Sequence, residues 1–279
     1  MHLIGHKLGH FEIVEKIASG GMADVYKARQ ENLDRDVVLK ILPAALSRDS
    51  TFQMRFEQEA RAAARLHHPN ILKIFDYGTQ DELTYIVMEY VPGGTLKQRI
   101  QGPMPIPYAL EIVTQLGDAL AYAHQRGVIH RDVKPSNVLI AENGWPMLAD
   151  FGLAKVTQER KDLTGTGVSI GTPEYMSPEQ GQGLPADHRA DIYALGVILY
   201  EMVTGRVPFL GDTPVATIVK LVTESPPPPR TLRPDLPAAV EAVILKAMAK
   251  DPEDRFASAA DMVIALQRAA QSREGTPTQ

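Results

Sequence analysis

The sequence contains no cysteine, which excludes disulfide frameworks, thiolate zinc sites and thiol nucleophiles and fits a reducing, cytosolic setting. Long apolar runs are missing too. The N-terminal MHLIGHKLGH has no sustained hydrophobic stretch, and no window approaches the roughly 18 uninterrupted apolar residues of a membrane span. The expectation is a chain in the cytoplasm with no membrane segment. Positive charge is not in excess either: the formal net charge is −5 and no run of Lys or Arg occurs, so no nucleic-acid partner is expected. No repeat recurs at a fixed period, and no G-x-x-x-x-G-K-[ST] stretch is present, which removes solenoids and P-loop NTPases.

What is present is material for a real core: 44% hydrophobic and 23% charged residues in a chain of 279, longer than one core usually supports, so two lobes are expected. From Phe11 to Leu42 the pattern has the period of strands. FEIVEKIA alternates Phe11, Ile13 and Ile17 against Glu12 and Lys16, and DVYKARQ and RDVVLKIL follow with the turn residues ENLD between them. That predicts a three-stranded antiparallel meander. Residues 51–66 change period and place Phe52, Phe56, Ala60 and Ala63 on one stripe of an amphipathic helix. ILKIFDYG and LTYIVMEYV then return to strand-type residues.

Past PGG (92–94) the character is helical. Helices are predicted over 108–126, closed by Gly127 as a left-handed C′ residue, and over 191–205, 213–224, 237–250 and 258–270. The fold class is α+β: a β-rich lobe of about 8–91 with one main helix, and a mainly α-helical lobe of about 92–270, with a cleft between them for a ligand. The polar end, 271–279, reads as a tail or the start of a linker. PPPP (226–229) reads as a stiff loop between two helices in preference to a polyproline ligand.

HRDVKPSN at 130–137 is the strongest local signal. Its apolar neighbours Val128 and Ile129 suggest a short strand running into an exposed loop on which Asp132, Lys134 and Asn137 converge. A carboxylate to accept a hydroxyl proton, a cation to neutralise a transferring phosphoryl group and an amide oxygen for a metal are what phosphoryl transfer requires. Eighteen residues beyond Asp132, Asp150 opens DFG at the end of an apolar strand and supplies a second oxygen ligand for Mg²⁺. Lys40, inside the apolar VVLK, needs a counter-ion, and Glu59 on the following helix is the natural one. IASGGMADVYKA (17–28), read alone, is either a phosphate cradle or a plain hairpin. His67 and His68, and His2, His6 and His10 at four-residue spacing, have no acidic or cysteine partner and read as structural, with HHPN as the turn ending the first helix.

With these four elements on one chain, residues 8–270 resemble the bacterial serine/threonine protein kinases related to eukaryotic (Hanks-type) ones. The resemblance implies a bilobal kinase fold with an ATP cleft, Mg²⁺ (or Mn²⁺) as the metal, protein substrates, and a kinase homodimer for trans-autophosphorylation. It also implies that such a domain can be part of a membrane-anchored receptor kinase. Lys40 and Glu59 resemble the family's strand lysine and helix glutamate, Asp132 the catalytic base, Lys134 the phosphate-neutralising lysine, and Asn137 and Asp150 the metal ligands. In the glycine-rich loop Ala18, Gly20 and Ala23 fall at the three glycine places. Ile17, Ser19, Gly21, Met22 and Asp24 complete the loop, and Val25 and Val38 lie over adenine. Met88 resembles the residue guarding the back of the adenine pocket, Glu89 and Val91 offer backbone groups to adenine, and Leu139 closes the pocket. GTPEYMSPEQ (171–180) matches the end of an activation segment, with Glu179 paired to Arg255. Asp191 and Gly196 resemble the helix that braces the catalytic loop. Lys134 with Thr172 implies serine or threonine acceptors, Thr164 and Thr166 stand where relatives autophosphorylate, and Arg131 can pair with that phosphate. Ala18, Ala23 and Val38 keep an alternative open: a nucleotide-binding scaffold with weak catalysis.

Overall fold

The computed structural model describes residues 3–19, 23–42, 50–151 and 172–271. Gly20, Gly21, Met22, Thr164, Thr166 and the side chain of Glu59 lie outside the described residues. The chain divides into two compact units, the first drawn from 3–67 and 71–92, the second from 68–70, 93–151 and 172–271.

The first unit is a six-stranded antiparallel sheet: β1 (Lys7–Leu8), β2 (Phe11–Ser19), β3 (Asp24–Gln30), β4 (Arg35–Ile41), β5 (Ile74–Gln80) and β6 (Leu83–Glu89), in the order β1-β2-β3-β4-β6-β5. The predicted meander is β2-β3-β4. Its second turn is a short 3-10 helix, Glu31–Leu33, closed by Asp34 in the left-handed region at φ 50°. β5 and β6 are joined by Asp81 and Glu82, both at positive φ, the two-residue hairpin whose twist matches its strands. Period-2 alternation decides the faces. Phe11, Ile13, Tyr26, Ala28, Val37, Leu39, Ile41, Tyr85 and Val87 bury one face as a core, with the Phe11 and Tyr85 rings edge-on at 6.5 Å. Helix α1 (Ser50–Ala64) buries the predicted stripe at Phe56, Ala60 and Ala63 and sets Phe56 against Tyr77 of β5 at 6.3 Å. The helix ends at Ala64, ahead of HHPN, so that turn follows the helix without terminating it.

In the second unit the described helices are α2 (Leu96–Arg99), α3 (Ile106–His124), α4 (Pro178–Gly181), α5 (Arg189–Thr204), α6 (Pro214–Thr223), α7 (Pro229–Leu232), α8 (Ala238–Ala247) and α9 (Ala259–Gln271). A two-stranded sheet pairs β7 (Val138–Ile140) with β8 (Pro146–Leu148). α5 is buried from Ala190 to Thr204, apolar apart from a few polar residues that include the carboxylates of Asp191 and Glu201. α3, α8 and α9 pack on it. A methyl at Gly196 would meet the Ala247 Cβ at 2.8 Å, so the α5–α8 approach requires glycine there.

α3 ends as predicted on Gly127. The glycine has φ 73°, its N–H donates to His124 O at 2.9 Å, and Val128 N–H donates to Ala123 O at 3.0 Å, the paired bonds of a Schellman motif. This corrects the reading of Val128 and Ile129 as a strand: the first of those amides caps a helix, and the strand pair comes after the HRDVKPSN loop. PPPP is a loop whose last residue, Pro229, opens the short α7.

Candidate active site

Where α3 delivers the chain to His130, a single buried carboxylate receives it. Asp191, 1% exposed in the first turn of α5, accepts the His130 N–H on Oδ2 at 2.8 Å and the Arg131 N–H on Oδ1 at 2.7 Å. His124 Nε2, from the last turn of α3, contacts Asp191 Oδ2 at 2.8 Å. Three groups on one carboxylate satisfy both oxygens and tie two helices to one loop.

Between them Arg131 is held at φ 65°, a left-handed conformation that costs a non-glycine residue energy and persists only where its surroundings fix it. The next peptide is fixed by His130, which is fully buried. Its Nε2 faces the Ala149 carbonyl at 2.8 Å and its Nδ1 faces the Asp132 N–H at 3.2 Å. A carbonyl needs a donor and an amide needs an acceptor, so the proton belongs on Nε2.

On the far side of that peptide stand the three predicted side chains. Lys134 Nζ lies 2.7 Å from Asp132 Oδ2 and 2.9 Å from Oδ1. Asn137 Nδ2 donates to Asp132 Oδ2 at 3.0 Å and to the Asp132 carbonyl at 2.8 Å. Because both donor contacts use the amide nitrogen, Asn137 Oδ1 is assigned as the acceptor end. Asn137 closes a 3-10 turn, Pro135–Asn137, and its own carbonyl takes the Ala149 N–H at 2.8 Å. Ala149 is therefore pinned at both backbone groups, by Asn137 and by His130, and Asp150 follows it at φ 64°. Phe151 is buried with its ring 4.6 Å from that of His130. The amide oxygen of Asn137 and the carboxylate of Asp150 are hard oxygen donors. Among the described residues no cluster of three or more His, Cys, Asp or Glu side chains forms a metal cage. That donor set fits Mg²⁺, which takes one or two protein oxygens and leaves the rest of its octahedron to phosphate and water.

In the first unit, strand register places Val25 opposite Lys40, Lys40 opposite Ile86, and Val38 opposite Met88. Opposed residues share a face, so Val25, Val38, Lys40 and Met88 lie together on the face of the sheet turned away from the core of Phe11 and Leu39. Val38, Met88 and Ala23 are buried. Ile17, Ala18 and Ser19 are exposed, with Ser19 Oγ donating to Asp24 Oδ1 at 2.6 Å and Lys16 Nζ 2.9 Å from the same oxygen. Glu89 N–H donates to Lys73 O at 3.0 Å, and Val91 is half-buried just past β6. Leu139 is half-buried on β7 of the second unit, bridged to Thr95.

The segment resuming at Thr172, which is exposed, is anchored twice. Tyr175, in the 3-10 turn Pro173–Tyr175, donates its hydroxyl to Glu201 Oε2 at 2.6 Å, and Lys97 Nζ holds Glu201 Oε1 at 2.8 Å. Burial and the Glu201 carboxylate push the Tyr175 phenol far above its ordinary range. Glu179 and Arg255 form a buried bidentate pair at 2.8 and 2.7 Å, as predicted from the sequence. Burial pushes the Glu179 carboxyl upward, but the hydrogen bonds and charge of Arg255 outweigh it and hold the group below its ordinary value. His124, the His130 tautomer and Gln180, whose Nε2 donates to the Arg131 carbonyl at 2.9 Å, were missed by sequence reasoning. S-x-x-Q at 177–180 was the one readable hint, as a helix N-terminal box.

Residues 11–266 match a family model described as protein kinase domain. The chain is 43% identical over 263 residues to a serine/threonine-protein kinase PknB of Mycobacterium leprae, an alignment covering 92% of this chain and 42% of that protein. It is 44% identical over 263 residues to the serine/threonine-protein kinase PrkC of Bacillus subtilis, covering 93% of this chain and 40% of that one. The chain thus spans about two fifths of the curated relatives it matches. Among solved structures, the kinase domain of Mycobacterium tuberculosis PknI is similar at TM-score 0.75 and 32% identity, covering 96% of this chain and all of that one.

Proposed function

The chain belongs to the protein kinase family, and from that premise we propose that it transfers the γ-phosphoryl group of ATP to serine and threonine hydroxyls of proteins, its own activation segment included. The observation that carries this reading is the convergence of Lys134 Nζ and Asn137 Nδ2 on the Asp132 carboxylate, at 2.7 to 3.0 Å. Asp132 accepts the acceptor hydroxyl's proton as its oxygen bonds to phosphorus and the bridge to the β-phosphate breaks. Lys134, held on Asp132, supplies the cation that neutralises the transferring group. Lys40, with Glu59, holds the α- and β-phosphates, and Gly20 and Gly21 let backbone approach the phosphates closely. Val25, Val38 and Met88 take the adenine ring, while Glu89 and Val91 offer it backbone groups. Asn137 and Asp150 would hold Mg²⁺, which supplies charge neutralisation at the phosphates.

In the same reading Arg131 pairs with a phosphate carried by Thr164 or Thr166, Thr172 serves recognition of the acceptor hydroxyl, and a second copy of the chain is the phosphorylating partner. No observation favours the scaffold alternative: Lys40, Asp132 and Asp150, whose loss would mark it, are all present. No described helix is long and apolar enough to cross a membrane. The test is transfer of label from γ-labelled ATP to a protein substrate with Mg²⁺, against an Asp132→Asn control. Label above the control is expected, and equal label in both removes the reading.

A further inference from the structure

The peptide joining Arg131 to Asp132 carries the proposed catalytic base, and it is gripped at both ends. Its N–H donates to His130 Nδ1 at 3.2 Å, and its carbonyl accepts from Gln180 Nε2 at 2.9 Å. Gln180 belongs to another segment, the turn of α4 that follows the activation segment, 49 residues along the chain.

The orientation of its amide is dictated. Gln180 Oε1 accepts the Ser177 backbone N–H at 3.0 Å and the Ser177 hydroxyl at 3.1 Å, and Ser177 is fully buried. A backbone N–H can only donate, so the oxygen end is committed to Ser177 and the nitrogen end must face Arg131. The turn is itself immobilised, because the neighbouring Glu179 is locked into Arg255, whose guanidinium also reaches the carbonyls of Ala249, Arg189 and Lys250. Arg131 sits at φ 65° and would relax toward ordinary backbone if either end of its peptides were released.

We propose that Gln180 is a positioning residue for phosphoryl transfer: its amide holds the Arg131 carbonyl, keeps Arg131 left-handed, and so aims the Asp132 carboxylate. The proposal rests on the phosphotransfer reading of the site. It gives the end of the activation segment a direct hold on the catalytic loop through one neutral hydrogen bond.

Glutamate and glutamine serve a helix N-terminal box equally, but only glutamine can donate. Gln180→Glu therefore keeps both contacts to Ser177 and turns an acceptor toward the Arg131 carbonyl, separating positioning from packing. In the intact chain, melting temperature is expected to fall only slightly and KM for ATP to stay unchanged, while kcat falls about tenfold, the size of one lost hydrogen bond expressed in a barrier. Hydrogen exchange of the peptide spanning 130–137 is expected to accelerate, with 177–183 still protected. A Gln180→Leu variant, which loses the Ser177 contacts as well, is expected to lower melting temperature further, in addition to kcat. Unchanged kcat in an active Gln180→Glu protein, or unchanged exchange across 130–137, overturns the proposal. Lost protection in a chain whose wild type transfers no label supports the hold on Arg131 and removes the phosphotransfer reading instead.

Discussion

Two stretches are expected to handle phosphate in this protein, and the described residues that hold them differ: those around 130–137 are shielded, those flanking 20–22 are not. The loop at 130–137 is held by two buried groups and a half-buried one, with several partners each: Asp191 takes three contacts, His130 bridges two peptides, and the half-buried Gln180 holds a carbonyl. The strand ends flanking residues 20–22 rest on side chains in water, with Asp24 shared between Ser19 and Lys16 and every residue from Val14 to Ser19 exposed. Polar bonds shielded from solvent are costly to leave half-made, whereas exposed ones are replaced by water at little expense. The difference suits the two proposed tasks: a proton acceptor must be aimed to a fraction of an ångström, while backbone that approaches a nucleotide must be able to give.

Removing the buried hub of the 130–137 loop is the severest way to test this contrast. Asp191→Ala leaves the His130 and Arg131 amides and the His124 ring without their acceptor in a site 1% exposed. A loss of about 3–5 kcal/mol is expected, the cost of breaking a buried charged network. Where the variant folds, kcat is expected to fall roughly hundredfold through misplacement of Asp132. Denaturant unfolding and label transfer check the two together. A stability change no larger than that of an exposed ion pair would erase the distinction between the loops.

Next in size is the pair beneath the Gln180 turn. Glu179→Gln removes one charge from a bidentate contact whose arginine side chain is fully buried, and a loss of about 2–3 kcal/mol is expected at neutral pH. The pH dependence has a definite sign. Glu179 ionises more readily folded than unfolded, so its contribution is complete above the ordinary glutamate range and drains away as pH falls through its lowered folded value. Wild type is therefore expected to lose stability more steeply than Glu179→Gln on titration from about pH 6 to 3, and parallel curves would show that Arg255 does not hold the carboxylate.

How far the sequence disclosed these features follows from the range of each signal. The sheet faces are period-2 patterns, and the α1 stripe of Phe56, Ala60 and Ala63 is a helical one, so both can be read within a dozen residues. Asp132, Lys134 and Asn137 announce themselves because three chemistry-bearing residues fall within one loop. His124 and Gln180 do not. Each acts on a partner 67 or 49 residues away, one through a ring nitrogen and one through an amide nitrogen that donates to a backbone carbonyl, and neither leaves a periodic trace. Val128 and Ile129 misled for a physical reason: β-branched residues suit strands, yet the Val128 amide was already taken by the helix end at Ala123. Three-residue β7 and β8 are too short for any window to resolve.

The smallest effect belongs to the exposed end of β2. Ala18 is exposed, pairs with Val25 across a β2–β3 register shift, and stands where the kinase pattern carries glycine. Ala18→Gly removes a methyl that buries nothing, so the only stability cost is the extra backbone freedom of glycine when unfolded, about 0.5–1 kcal/mol or less at a strand end. If the loop flanking residues 20–22 yields to the nucleotide, that added freedom leaves KM for ATP unchanged or lowers it, and kcat stays as it was. Steady-state kinetics over a range of ATP concentrations reads both constants. A clear rise in KM would mean that the Ala18 methyl itself shapes the nucleotide site, and that this loop is as tightly specified as the one around Asp132.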